Sequence, residues 1–273
     1  MTLNIAHRGA RSLAPENTMA AARKAHRSGA DMWEADVVVT ADQELILLHD
    51  DSLTRTTNAA NVFPERGPWT FTSFTLKELR SLDAGSWFVD TDPHGQIAAG
   101  TLTDKDQAAC RGEKIPTLTE ALVFTREADW RMNIELKRLP PPMTDFPVVD
   151  RVLALIDLLN VAAGQIVFSS FEHDWLRQIR VRRPEFKLEA IIGYSAVKPL
   201  DWGDLDFATY NARHTLTSTR KIRRLAEKGI AVNVWSVNSE KDMYRFIEAG
   251  AVGIITDFPQ VLGPLLNTDP ANT

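Results

Sequence analysis

Two pairs of charged residues stand inside otherwise apolar runs: Glu34 and Asp36 in "MWEADVVV", and Glu135 and Lys137 in "MNIELK". A two-residue spacing puts both members of a pair on one face of a β-strand. Charges on an inward face are costly unless they are paired or bind an ion, so these carboxylates call for a cation. Glu34, Asp36 and Glu135 offer hard oxygen donors, which suit Mg²⁺ or Ca²⁺ better than zinc, whose sites usually enlist His or Cys. His7 and His49 each close an apolar run, and imidazole changes its charge near neutrality. Two such groups can divide general base and general acid work, as in-line displacement at phosphorus requires, and a metal between them stabilises charge on the phosphoryl oxygens. The competing structural reading is an interior ion-pair network of the acids with Lys137 and Arg8, beside two rim histidines that only hydrogen-bond. Each motif alone fits that reading; their convergence at strand ends favours the chemical one.

The elements that must position these groups follow from periodicity. Nine apolar, β-rich runs ("LNIAH", "DMWEADVVV", "ELILLH", "RMNIELK", "QIVFSS", "KLEAIIG", "FATYN", "IAVNVW", "VGIIT") alternate with amphipathic segments, the pattern of a parallel sheet wound with helices. Only "TADQ" separates the second and third runs, too little for a parallel crossover, so they are expected to form an antiparallel hairpin. That leaves eight strands for an α/β (β/α)₈ barrel. A pairing sum of about 85 would set Asp36 opposite His49, with Cβ atoms roughly 5 Å apart. Residues 50–117 carry few strand signals and are expected to form an insertion over the C-terminal mouth. The closing "NTDPANT" reads as a frayed tail.

With 273 residues, of which 44% are hydrophobic and 25% charged, the chain is expected to form one domain over residues 1–273. A net charge of −5 argues against a nucleic-acid partner, since phosphate neutralisation needs a basic surface. One cysteine excludes an intrachain disulfide. No apolar run reaches the roughly 20 residues that span a bilayer, and no leader pattern precedes the first strand, so a cytoplasmic location is expected. Nothing in the sequence specifies an oligomeric state.

The ordered set "HRGA", "PENT", "EADVVVTADQELILLHDDSLTRTT", "LDAGSWF", "KIPTLTEAL", "IELK", "FSSF", "WSVN" and "GIITDFP" resembles the glycerophosphodiester phosphodiesterase family from residue 5 to about 260. The resemblance implies a (β/α)₈ barrel that hydrolyses small-molecule glycerophosphodiesters such as glycerophosphocholine to sn-glycerol 3-phosphate and an alcohol. It implies Glu34, Asp36 and Glu135 as metal ligands, His7 and His49 as the acid/base pair, and Arg8 and Lys137 as holders of phosphate oxygens. It further implies attack by the neighbouring glycerol hydroxyl, a cyclic phosphate opened by water, and histidines that exchange roles between the steps. On this reading Gly9 supplies a turn without a Cβ, and Asn17 either hydrogen-bonds near His7 or caps the following helix. Trp235 and Phe171 either wall the pocket or pack in the core. Asn238 and Asp257 read as loop-shaping residues; His26, His94, His173 and His214 read as structural or exposed. Two departures stand out: Ala35, where a larger aliphatic is common, and the long polar stretch Val89 to Gly112, which leaves the leaving group open. Two other functions compete, a lysophospholipase D-type activity and a non-catalytic phosphodiester-binding barrel.

Overall fold

The computed structural model of the chain describes residues 1–267. Its strands are β1 (Leu3–Ala6), β2 (Met32–Val39), β3 (Leu45–Leu47), β4 (Met132–Leu136), β5 (Ile166–Ser170), β6 (Lys187–Ile192), β7 (Thr209–Arg213), β8 (Ala231–Trp235) and β9 (Gly253–Thr256). All but β3 pair in parallel in the order β1-β9-β8-β7-β6-β5-β4-β2, and β1 also pairs with β2, which closes a TIM-type barrel of eight strands. The expected frayed tail falls outside the described residues except for Asn267, which ends the helix Pro259–Asn267. Among the described residues no helix is long and apolar enough to cross a membrane.

Strand alternation sorts the side chains. Ile5, Met32, Val167 and Ile255 meet in one apolar cluster, whereas Ala6, Trp33, Ala35, Val37, Ile134 and Phe168 belong to the larger cluster shared with the helices. With Met32 on the first set and Trp33, Ala35 and Val37 on the second, Glu34 and Asp36 must share the face of Met32. Ala35 is therefore part of the helix layer and leaves the chemistry alone. The helix Met19–Arg27 starts at Thr18, whose hydroxyl accepts from the Ala21 amide, and buries Ala21, Ala22 and Ala25. Its small side chains admit a close neighbour: a Cβ on Gly9 would lie 2.6 Å from the Ala21 carbonyl carbon, and Gly9 has φ +79. Only glycine fits there without strain.

β2 runs on past the barrel and pairs antiparallel with β3, Val37 with Leu47, Val38 with Ile46 and Val39 with Leu45. This corrects the expected register by one residue. The Leu48 amide donates to the Asp36 carbonyl at 3.0 Å, so Leu48, not His49, faces Asp36 across the ladder. The turn is tighter than expected: the Thr40 amide donates to the Glu44 carbonyl at 3.0 Å, with Gln43 at φ +65. Between residues 50 and 117 short helices enclose a second apolar cluster, in which Phe71, Phe74 and Leu79 pack on Val38, Val39 and Ile46. Burying each large side chain of this kind contributes about 1.5–3 kcal/mol, enough to anchor the excursion on β2 and β3.

Candidate active site

At the strand ends β2 and β4 bring the three acids together. One carboxylate oxygen from each of Glu34, Asp36 and Glu135 lies within 4.8 Å of the others. Cations of the protein share the cluster: Lys137 Nζ is 3.4 Å from Asp36 Oδ1 and 3.2 Å from Glu135 Oε1, and Arg8 Nε is 3.2 Å from Asp36 Oδ2. These contacts do not satisfy the whole site. Glu34 Oε2 accepts from the Arg8 amide at 2.9 Å, but Glu34 Oε1 is buried without a hydrogen-bond partner. Burial first, then the negative charges of Asp36 and Glu135, push the Glu34 carboxyl well above its ordinary range. Asp36 is held well below its own: burial alone would raise it, but Lys137, His49 and Arg8 prevail. A buried, unpartnered carboxylate oxygen among like charges, in an all-oxygen donor set, fits a hard divalent cation.

Each histidine is held from one side. His7 Nδ1 lies 2.6 Å from Asp257 Oδ1, and His49 Nδ1 lies 2.6 Å from Asp50 Oδ1. In both rings this bond leaves Nε2 for other chemistry. The settings differ. His7 and Asp257 are 14% and 8% exposed, His49 and Asp50 33% and 29%. Burial, followed by the Arg8 charge, lowers His7 to about 4 against the pull of Asp257. Asp257 is itself braced, accepting from Asn238 Nδ2 at 2.7 Å while its amide donates to Asn238 Oδ1 at 3.0 Å.

Asn17 does not cap the following helix but hydrogen-bonds inside the site. Its Nδ2 donates to Asp36 Oδ2 at 2.8 Å and its Oδ1 accepts from the Asp36 amide at 3.2 Å, while Thr18 caps the helix. Asn17 and Arg8 both adopt φ +54, which turns the chain sharply enough to aim both at the acids. Arg8 makes a buried pair with Glu16, Nη1 to Oε1 at 2.7 Å. At the ends of β5 and β8, on the same mouth, Phe171 and Trp235 meet edge to face at 6.0 Å, and Arg213 lies over the Trp235 ring at 5.2 Å. Tyr194 continues the row at 5.4 Å from Phe171 and is 84% exposed.

The family model for the glycerophosphoryl diester phosphodiesterase family matches residues 7–261. The chain belongs to this family. A glycerophosphodiester phosphodiesterase of Caldanaerobacter subterraneus subsp. tengcongensis is 32% identical over 264 residues, covering 96% of each chain. The mouse glycerophosphoinositol inositolphosphodiesterase GDPD2 is 30% identical over 96% of this chain and 47% of its own length. Among solved structures, an Oleispira antarctica phosphodiesterase in complex with the product sn-glycerol-3-phosphate superposes with TM-score 0.76 at 24% identity, covering 97% of this chain and 96% of that one, a likeness of fold. As a glycerophosphodiester phosphodiesterase family member the chain is a phosphoric diester hydrolase, which removes the non-catalytic barrel from the competing readings.

Sequence reasoning passed over several residues around the phosphodiesterase site. Asp50 adjoins His49 in "HDD", and Asp257, read as loop-shaping, directly follows the last strand run, which neighbours the first in a closed barrel; both positions were signals. Glu16 carried no such signal, yet Arg8, Arg11 and Arg55 all reach it at 2.7 Å. Of the other histidines, His26 packs on Trp130 at 5.1 Å, and His173 and His214 bond backbone carbonyls. His94 lies closer to the site than expected, 5.7 Å from the Phe258 ring with Asp257, Arg11 and Glu16 as charged neighbours.

Proposed function

We propose that this enzyme converts glycerophosphodiesters to sn-glycerol 3-phosphate and an alcohol by two-histidine acid/base catalysis at a divalent metal, Mg²⁺ or Ca²⁺, held by Glu34, Asp36 and Glu135. Bound there, the metal supplies Lewis-acid stabilisation of charge on the phosphoryl oxygens. Everything else is done by side chains. Lys137 has three N–H donors and stands as an ion pair with Asp36 and Glu135, with donor capacity for a phosphate oxygen. Arg8 keeps its planar fork anchored on Glu16 and offers its remaining donors.

His7, kept neutral by burial beside Arg8, accepts at Nε2 the proton of the glycerol 2-hydroxyl as that oxygen attacks phosphorus. His49, oriented by Asp50, donates from Nε2 to the alcohol oxygen as its bond to phosphorus breaks. Water then opens the cyclic phosphate with the roles reversed, returning each proton. One observation above all supports this: an acid trio with an unsatisfied buried oxygen, on β2 and β4, together with two imidazoles that follow strands neighbouring β2 and each have a carboxylate behind Nδ1.

The test is a panel of glycerophosphocholine, glycerophosphoethanolamine and glycerophosphoinositol assayed after chelation and readdition of Mg²⁺, Ca²⁺ or Mn²⁺. Release of glycerol 3-phosphate that disappears with chelation and returns with one of the ions is expected; no release from any diester under any ion would end the proposal. A lysophospholipase D-type activity is favoured by one feature, the row Trp235, Phe171 and exposed Tyr194, with Val197 beyond it 87% exposed. Faster turnover of lysophosphatidylcholine than of glycerophosphocholine in the same panel would select that activity.

A further inference from the structure

The two His–Asp pairs are joined round the rim by a chain of alternating charge. From His7 and Asp257 the path continues to Arg11, whose Nη1 is 3.8 Å from Asp257 Oδ1 and whose Nη2 is 2.7 Å from Glu16 Oε2. Glu16 is 3% exposed and uses both oxygens. Arg55 Nη2 donates to Oε1 at 2.7 Å and Nη1 to Oε2 at 3.0 Å. The same guanidinium turns its other edge to Asp50, Nε to Oδ2 at 2.5 Å and Nη2 to Oδ1 at 3.1 Å, and Asp50 holds His49. Arg55 also lies 5.9 Å from the Trp87 ring.

We propose that Glu16 and Arg55 are positioning residues that fix the two imidazoles relative to each other, by clamping the loop after β1 to the loop after β3. The inference rests on the two-histidine reading given above. In-line displacement needs base and acid on opposite sides of phosphorus, and misplacement of about 1 Å is costly. His7 rides on the barrel itself, but His49 follows a three-residue strand that pairs outside the parallel barrel, so its position depends on what ties that loop back. A fork with five N–H donors can hold two carboxylates at once; an ammonium cannot reproduce that planar geometry. Glu16 gives the fork a fixed anchor, because Arg8 and Arg11 hold it from the far side.

A double-mutant cycle tests this with glycerophosphocholine as substrate and saturating metal. Arg55→Ala, and to a lesser degree Arg55→Lys, is expected to lower kcat by about 10- to 100-fold, the usual cost of removing a supporting shell, with KM changed less than about threefold and the melting curve retained. In a His49→Ala background the same Arg55→Ala change is expected to cost almost nothing further, since a positioning residue has nothing left to position. Arg183→Ala, which breaks a surface pair with Asp157 and Glu185, serves as the control and should leave kcat alone. Equal losses in both backgrounds would make Arg55 a general structural contact and overturn the inference. Unchanged kcat in Arg55→Ala beside a crippled His49→Ala would overturn it while leaving the two-histidine reading intact. Full turnover in His49→Ala would remove both.

Discussion

The enzyme builds a histidine–aspartate pair twice, and builds it differently each time. His7 and Asp257 directly follow β1 and β9, adjacent strands of the closed barrel, and sit mostly out of solvent. His49 and Asp50 are consecutive residues beyond β3, about a third exposed and secured by a side-chain bridge. Backbone pairing aligns the first pair; the second depends on charges. One imidazole is fixed by the fold and the other by an added clamp, so the same substitution should have different effects at the two.

The largest effects remove the rings. His7→Ala and His49→Ala should each lower turnover of glycerophosphocholine by about 10²- to 10⁴-fold, the range of a general acid or base, with circular dichroism unchanged; a wild-type rate in either removes that ring from the mechanism. Next come the partners. Asp257→Asn should cost more than Asp50→Asn, about 100-fold against about 10-fold by the usual cost of losing a supporting carboxylate, because Asp257 has no solvent to replace it and Asp50 does. The reverse order, read from kcat, would break the contrast. The last effect is on stability and leaves the rate aside. His7 is lowered from 6.5 to about 4, so above pH 6.5 both folded and unfolded forms are neutral and its contribution is fully present. As the pH falls from 6.5 towards 4 the unfolded chain takes up a proton the folded one refuses, and stability of the order of 3 kcal/mol is lost. Urea unfolding at pH 7 and pH 5 should show this slope in the wild type and a flatter one in His7→Asn; equal slopes would contradict it.

Much of the fold was legible because it is repetitive. Each of the nine apolar runs holds a strand, and the two-residue spacings of Glu34 with Asp36 and Glu135 with Lys137 delivered the acids to one place. The β2–β3 register was missed by one residue because the turn at residues 40–44 is set by a backbone bond and a left-handed Gln43, which hydrophobic patterning does not encode. Asn17 was left between two roles for a related reason: capping is a local rule, whereas its partner Asp36 lies 19 residues on, on the neighbouring strand β2. The same limit hid Glu16. That three arginines close on it depends on loops after different strands meeting in space, and no spacing within "PENT" records that.

The join between β1 and β9 bears on how the enzyme is born. His7 emerges from the ribosome before the other groups of the site, but the carboxylate that aligns it is encoded 250 residues later. A nascent chain can collect its acids and both imidazoles long before Asp257 is translated, and still lack the partner that holds His7 in place. The seating of His7 is thereby completed only once the final strand of the barrel has been made.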